Sequence, residues 1–209
     1  VMCGQIRDRI AALRRARGEG VEGHFDLSAW IRSLSASERA QLAAEGLAKS
    51  GATFPNGCHI AELEIDVESG VTQVIRYVSV DDAGRVISEQ LVHGQMQGGV
   101  VQGWGQAFCE NTVFDARGQL SSGSFMDYAM PRAGCVPELV SDNLPIPTTL
   151  NLTGAKGVGE SGCTGSLPAL ANAMSDALAT RGVAPINMPF TSARVWAALH
   201  PEEIGRVHV

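Results

Sequence analysis

The chain has 209 residues, of which 44% are hydrophobic and 18% are charged, and it carries a net charge of −6. These values are typical of a globular protein whose core is large enough to be stable without disulfides. The negative charge argues against general binding of nucleic acid or of an anionic membrane surface. No apolar run approaches the ~18 residues needed to span a bilayer, so no membrane span is predicted.

The five cysteines are scattered along the chain and show none of the CxxC spacing of zinc or iron–sulfur sites. An odd number of cysteines in a sequence that shows no signal peptide suits a reducing compartment. We therefore expect a cytoplasmic protein without an iron–sulfur cluster of its own.

Residues 1–50 are predicted to form a helical N-terminal segment. The first helix is indicated by apolar residues spaced four and three apart, Ile6, Ile10 and Leu13. DLSAWIRSL predicts a short second helix, and SASERAQLAAEGLAKSG predicts a third that ends at Gly51. The role of this segment is unclear from the residues. GATFPNG, at 51–57, is expected to link it to a second domain at 51–209.

A β-hairpin is predicted at the start of the second domain. Apolar and polar residues alternate through CHIAELEID and again through VTQVIRYVSV, and the residues between Asp66 and Gly70 favour a turn.

A helix rich in glycine is predicted over residues 91–109, LVHGQMQGGVVQGWGQAFC. Gly94 and Gly98 lie four residues apart, as do Gly99 and Gly103, so one face is nearly bare backbone. Each interior glycine costs about 1 kcal/mol relative to alanine. This cost predicts either close packing against another element or the close approach of a cofactor.

The remaining sequence predicts short strands in ENTVFDARGQL and SSGSFMDYAMPRA, and extended segments interrupted by proline in PELVSDNLPIPTTLNLTG. A long helix is expected from Ser166 or Leu167, and FTSARVWAALH predicts a final short helix. The expected fold class is therefore mixed α/β (α+β). In it, a hairpin and a mixed sheet pack with the glycine-rich helix and the long C-terminal helix.

The segment GAKGVGESGCTG, residues 154–165, combines five glycines with a single carboxylate, Glu160. A glycine-rich loop that leads into a helix exposes backbone N–H groups, which suits an anionic ligand such as a phosphate. The spacing is neither that of a P-loop nor that of a dinucleotide-binding turn. From the residues alone, a ligand-binding loop and a surface loop with an exposed glutamate remain alternatives.

This loop resembles the one that carries the catalytic glutamate in the molybdenum-binding large subunits of the xanthine dehydrogenase, aldehyde oxidase and carbon monoxide dehydrogenase family. The resemblance extends over about 150 residues, through FPNGCHIAELEID, GQMQGGVVQGWGQAF, GSFMDYAMPRA and MPFTSARVWAAL in the family's order. It implies the C-terminal portion of such a subunit, because the family's subunits are several times longer. Residues 1–50 match no part that we recognise, and Ser88-Glu89 replaces the usual asparagine-proline.

The resemblance implies that Glu160 is the catalytic general base, which takes a proton from a metal-activated oxygen. It matches Gln95 to a glutamine that hydrogen-bonds the cofactor near the metal. The loop against the pterin would comprise four residues, Gly157, Val158, Gly159 and Ser161. Lys156 would contact either a cofactor phosphate or solvent, and Gln102 either the cofactor edge or a structural partner.

The implied cofactor is a molybdenum-pyranopterin, with or without a cytosine dinucleotide. Its own dithiolene sulfurs hold the metal, so no side chain here is expected to be a metal ligand, including His59 and His93. Partners would be the remainder of the molybdenum subunit or a second molybdenum-binding chain. Iron–sulfur and flavin subunits would complete the assembly.

The implied function is part of an oxidoreductase that hydroxylates an aldehyde or an N-heterocycle with oxygen from water. The alternative is a non-catalytic remnant that binds a partner or the cofactor without turnover.

Overall fold

The computed structural model describes residues 2–46 and 51–204. The chain divides into two compact units, Val1–Ser50 and Gly51–Val209. Over residues 2–46, the first unit consists of three helices: α1 (Met2–Ala16), α2 (Leu27–Ser33) and α3 (Ala36–Gln41). They pack around a small core of Leu13, Trp30 and Leu34.

Side-chain caps define the starts of two of these helices. Asp26 accepts a hydrogen bond from the backbone N–H of Ala29 at the start of α2. Ser35 and Glu38 form a reciprocal capping box at the start of α3. The third helix is shorter than predicted, because it ends at Gln41 rather than near Gly51; residues 47–50 lie outside the described residues.

A three-stranded mixed sheet forms the base of the second unit, in the order β1 (Asn56–Ile65), β2 (Thr72–Asp82) and β3 (Glu138–Asn143). β1 and β2 form the predicted antiparallel hairpin, whose register shifts between Glu62 and Leu63. β3 lies parallel to β2 on its other side. This arrangement places the end of β2 in the middle of the sheet.

Two long helices, α4 (Glu89–Phe108) and α5 (Ser161–Ala179), pack against each other, and α5 also packs on β1. The final helices are α6 (Ser192–Leu199) and α7 (Pro201–Ile204). The main core lies between these layers and is formed by Tyr77, Val100, Ala107, Phe108, Leu170, Met174, Leu178, Phe190 and Val195. The predicted mixed α/β fold with a helical N-terminal segment is confirmed.

Two predictions within this unit are wrong. The long helix begins at Ser161, five residues before Ser166, because SGCTG is already helical. Residues 110–133 form no regular strand; their extended pairing is limited to one isolated bridge between Phe114 and Leu120. Within 2–46 and 51–204, no helix is long and apolar enough to cross a membrane.

Candidate active site

The loop before α5 is fixed to the end of β2 by backbone hydrogen bonds. The N–H of Arg85 donates to the Gly154 carbonyl at 2.8 Å, and the N–H of Lys156 donates to the Ala83 carbonyl at 2.9 Å. Gly154 adopts φ = +73°, a left-handed conformation that favours glycine. The loop thus leaves the sheet in a defined direction and leads directly into the helix.

A buried ion pair reinforces this attachment. The Lys156 ammonium is bonded to the Asp82 carboxylate, which also accepts hydrogen bonds from the N–H groups of Gly84 (2.8 Å) and Ile146 (2.9 Å). Burial raises the pKa of Asp82, but the ammonium and the two N–H donors outweigh it and hold that pKa below its usual value. The structure thus shows Lys156 paired with Asp82, and its predicted contact with a cofactor phosphate or with solvent stays a prediction.

Glu160 lies where the loop becomes helix. It occupies the N-cap position of α5 with φ = −110° and ψ = 0°, and its side chain makes no capping hydrogen bond. Its carbonyl accepts from the N–H of Thr164 at 2.9 Å, which fixes its backbone to the first helical turn. The carboxylate is exposed, so it is available to a ligand.

A cleft of about 600 Å³ opens beside Glu160. One wall is the loop and first turns of α5, and the opposite wall is the segment that leads into β1 together with the start of that strand. The lining residues are Thr53, Phe54, Pro55, Asn56, Gly57, His59, Asp81, Gly157, Gly159, Glu160, Ser161, Thr164 and Gly165. Of the predicted site residues, four line this cleft: Gly157, Gly159, Glu160 and Ser161.

Ser161 presents an unsatisfied polar group at this cleft. Its side chain is buried, with 8% relative exposure, and its Oγ has no hydrogen-bond partner among the described residues. Val158 has a different role, since it packs beside Ala83, Val92 and Met96 in a small apolar cluster behind the loop.

Gln95 reaches the same loop from α4. Its side-chain amide donates to the Gly159 carbonyl at 2.5 Å, so it holds the peptide that directly precedes Glu160. Gln102 lies two helical turns further along α4 and is exposed. It does not line the cleft and makes no side-chain hydrogen bond within the described residues. The structure therefore brings Gln95, but not Gln102, to the loop.

Four of the five glycines of α4 fall into two groups. A Cβ at Gly99 would lie 2.9 Å from both Cys163 N and Gly162 Cα, and a Cβ at Gly103 would lie 3.0 Å from Ser166 Cβ. Gly94 and Gly98 instead face open space. Close packing against α5 thus explains the first group, and the second leaves bare backbone accessible on the surface.

Sequence reasoning missed the polar floor of the cleft. His59 Nδ1 lies 2.7 Å from Tyr77 Oη, and His59 Nε2 lies 3.1 Å from Asp81 Oδ1. Asp81 Oδ2 is buried without a partner among the described residues. The sequence feature that could have indicated this polar floor is the acidic pair Asp81-Asp82 at the end of a predicted strand. Within the described residues, no group of three or more His, Cys, Asp or Glu is placed to hold a metal.

A profile for the molybdopterin cofactor-binding domain matches residues 2–137. The chain belongs to the molybdopterin cofactor-binding domain family. The predicted membership of the xanthine dehydrogenase, aldehyde oxidase and carbon monoxide dehydrogenase family is confirmed. The match also includes the N-terminal helices, which we had placed in no family from the sequence, and it ends before the loop that carries Glu160.

Individual relatives of this molybdopterin-binding chain agree with the profile. It is 38% identical over 153 residues to the carbon monoxide dehydrogenase large chain of Hydrogenophaga pseudoflava, covering 73% of this chain and 19% of the relative. It is 37% identical over 142 residues to the nicotine 6-hydroxylase large subunit of Paenarthrobacter nicotinovorans, covering 68% and 17%. The structure of quinoline 2-oxidoreductase from Pseudomonas putida 86 is similar to that of this chain, with a TM-score of 0.66 and 34% identity. The match covers 68% of this chain and 18% of the oxidoreductase chain. The chain thus spans about one fifth of the length of these relatives.

Proposed function

We propose that this chain supplies the general base and part of the cofactor site of a molybdenum hydroxylase. The observation that carries the proposal is the position of Glu160. Its carboxylate is exposed, free of any capping bond, and set at a cleft whose neighbouring wall is glycine backbone. A base that takes a proton during turnover needs such a free oxygen within reach of the bound substrate.

The residues around the cleft fit a flat, polar cofactor that brings its own metal ligands. Gly157 and Gly159 are exposed, and a Cβ at Gly159 would meet nothing, so a ring system can approach their backbone. The unpartnered Ser161 hydroxyl is available to hydrogen-bond a polar ring edge. The molybdenum-pyranopterin, when bound, supplies the redox chemistry and the activation of water.

In this proposal, the residues of the loop and of α4 have distinct roles. Glu160 accepts the proton released from the activated water, and the Gln95 amide keeps the Gly159 peptide, and with it Glu160, in place. Lys156 holds the loop through Asp82, and Val158 anchors it in the apolar cluster. Gln102 lies outside the cleft, and its contact with the cofactor edge remains a proposal.

Two of the relatives support a proposal for the substrate class. Nicotine and quinoline are N-heterocycles. In their pyridine-type rings, the carbons next to nitrogen are electron-poor. We therefore propose an N-heterocycle or an aldehyde as substrate. A cytosine dinucleotide on the pterin, iron–sulfur and flavin subunits as partners, and a cytoplasmic location remain part of this proposal.

The test uses the chain purified together with the proteins encoded beside it. Turnover of quinoline and of benzaldehyde is measured with a redox dye as electron acceptor, in water enriched in ¹⁸O. We expect ¹⁸O in the product, and we expect Glu160→Gln to reduce kcat by at least about 100-fold, as loss of a general base does, at unchanged molybdenum content. Glu68→Gln, at an exposed glutamate in the hairpin turn, is the matched control and should be as active as wild type.

Wild-type turnover in Glu160→Gln would refute the assignment of the base. The alternative function, a module without turnover, predicts a different outcome of the same purification. It predicts a stable protein that turns over neither substrate, whether it binds only a partner and lacks molybdenum or binds the cofactor and carries it.

A further inference from the structure

The buried side chains beneath the cleft form a connected polar chain. Tyr77, His59 and Asp81 have side chains that are almost inaccessible to solvent; His59 and Asp81 are 5% and 3% exposed at the side chain. Burial, followed by the nearby Asp81 carboxylate, raises the pKa of Tyr77, so its phenol remains protonated. The phenol can then donate to His59 Nδ1, and the proton on Nε2 donates to Asp81 Oδ1.

The sheet register explains why these three groups meet. Tyr77, Ser79 and Asp81 alternate along β2 and therefore point to one face of the sheet. His59 on β1 pairs with Ser79. Its ring thus lies between the two partners, is held at both nitrogens, and packs edge-on against the Tyr77 ring at a centroid distance of 5.7 Å.

The fixed ring lies directly against α5. A Cβ at Gly165 would be 2.5 Å from His59 Nδ1 and 2.6 Å from Nε2, so the imidazole rests on bare helix backbone. Three residues earlier in α5, Gly162 meets α4: a Cβ there would be 3.0 Å from Gly99 Cα. The start of α5, from Glu160 to Gly165, therefore packs against both the hydrogen-bonded imidazole and α4.

We propose that His59, fixed by Tyr77 and Asp81, is a positioning residue that sets the first turn of α5 and thereby the location of the Glu160 carboxylate. This inference rests on the proposed function of Glu160. A displacement of the turn would move the base relative to the substrate, and small errors in position carry large rate penalties. A bond lost at one ring nitrogen leaves the imidazole free to change orientation, and the turn loses its support.

Tyr77→Phe tests this directly, because it removes only the hydroxyl that holds Nδ1. Tyr128→Phe is the matched control: it also removes one phenol hydrogen bond, to Glu110 at 2.8 Å, but that bond lies outside the cleft. Hydrogen exchange is followed by mass spectrometry in the assembled enzyme. We expect exchange in residues 161–167 to rise roughly fivefold in Tyr77→Phe, as the loss of one hydrogen bond implies, with exchange in 170–179 unchanged.

Turnover gives the second readout. We expect Tyr77→Phe to lower kcat roughly fivefold at unchanged KM and molybdenum content, and Tyr128→Phe to change neither. In a Glu160→Gln background, Tyr77→Phe should cause no further loss, because both changes act through the same group. If exchange in 161–167 stays at the wild-type level, or if the two losses multiply, His59 does not position Glu160.

The two proposals fail separately. Wild-type activity of Glu160→Gln refutes the function of the base, whereas the exchange data still decide whether the ring holds the turn. If Tyr77→Phe does not yield folded protein, Asp81→Asn is used instead. It removes the carboxylate charge beside His59 Nε2 but keeps the shape of the side chain, and the same exchange measurement applies. Unchanged exchange in 161–167 would again overturn the proposal.

Discussion

Two adjacent glycines of α4 should respond in opposite ways to the same substitution. Both lie in the helix interior, so alanine gains about 1 kcal/mol of helix propensity at either position. At Gly98 the added methyl group meets open space, and we expect this gain in full. At Gly99 it would lie 2.9 Å from the backbone of α5, where neither Cys163 N nor Gly162 Cα can move without shifting the helix.

The magnitude follows from the difference between the two variants. Overpacking of a close contact typically costs about 1–3 kcal/mol. Because the propensity gain is shared, Gly99→Ala should be less stable than Gly98→Ala by this full amount. For a protein of this size, a difference of that order corresponds to roughly 2–12 °C in Tm.

Urea-induced unfolding, followed through tryptophan fluorescence, measures this difference. Trp104 lies in α4 itself and reports on the helix pair. Equal stabilisation by both alanines would refute the reasoning, since it would show that α4 and α5 are not in contact through bare backbone.

Two further substitutions test the attachment of the loop. Gln95→Leu removes the bond to the Gly159 carbonyl and should raise hydrogen exchange at 157–161 and lower kcat, whereas Gln97→Leu, at an exposed position on the same helix, should do neither. Lys156→Met should lower the free energy of unfolding at pH 7 by about 3 kcal/mol, because it leaves the buried Asp82 carboxylate without its cation. The pKa of Asp82 is lower in the folded than in the unfolded state. The ion pair therefore stabilises the folded protein in full above the unfolded-state pKa of about 3.9, and this stabilisation is lost as pH falls through the lower folded-state pKa. The difference in unfolding free energy between wild type and Lys156→Met, measured by urea titration, should thus narrow as pH falls below 4; an equal difference at pH 7 and pH 3 would contradict the ion pair.

The sequence was sufficient for the elements whose signals are local. Alternating apolar residues identified the β1–β2 hairpin, and the glycine spacing identified α4 despite its poor helix propensity. The start of α5 was misplaced because Gly162 and Gly165 have the composition of a loop. In the structure they are helical contact points, and a glycine used for packing is indistinguishable in sequence from one used for flexibility.

Other features depended on contacts between distant residues. The extended pattern in residues 110–133 has no regular strand partner, and Asp115 instead binds the N–H groups of Arg117 and Gln119 in a turn. The His59–Asp81 contact joins residues 22 positions apart and depends on the register of β1 against β2, which periodicity alone does not give. The family resemblance pointed to Glu160 and Gln95, yet the cleft wall before β1 was visible only in three dimensions.

The two walls of the cleft differ in how much change they tolerate, and this has a practical consequence for engineering. In the α5 wall, glycines contact α4 and His59 closely, so a larger side chain at those glycines would clash and destabilise the fold. The opposite wall is an extended segment, and the Phe54 side chain there is 73% exposed. A library randomised at Phe54 and Asn56 would reshape the cleft while the helix pair stays intact. Selection for new substrates should therefore recover more folded variants from that wall than from the glycine loop.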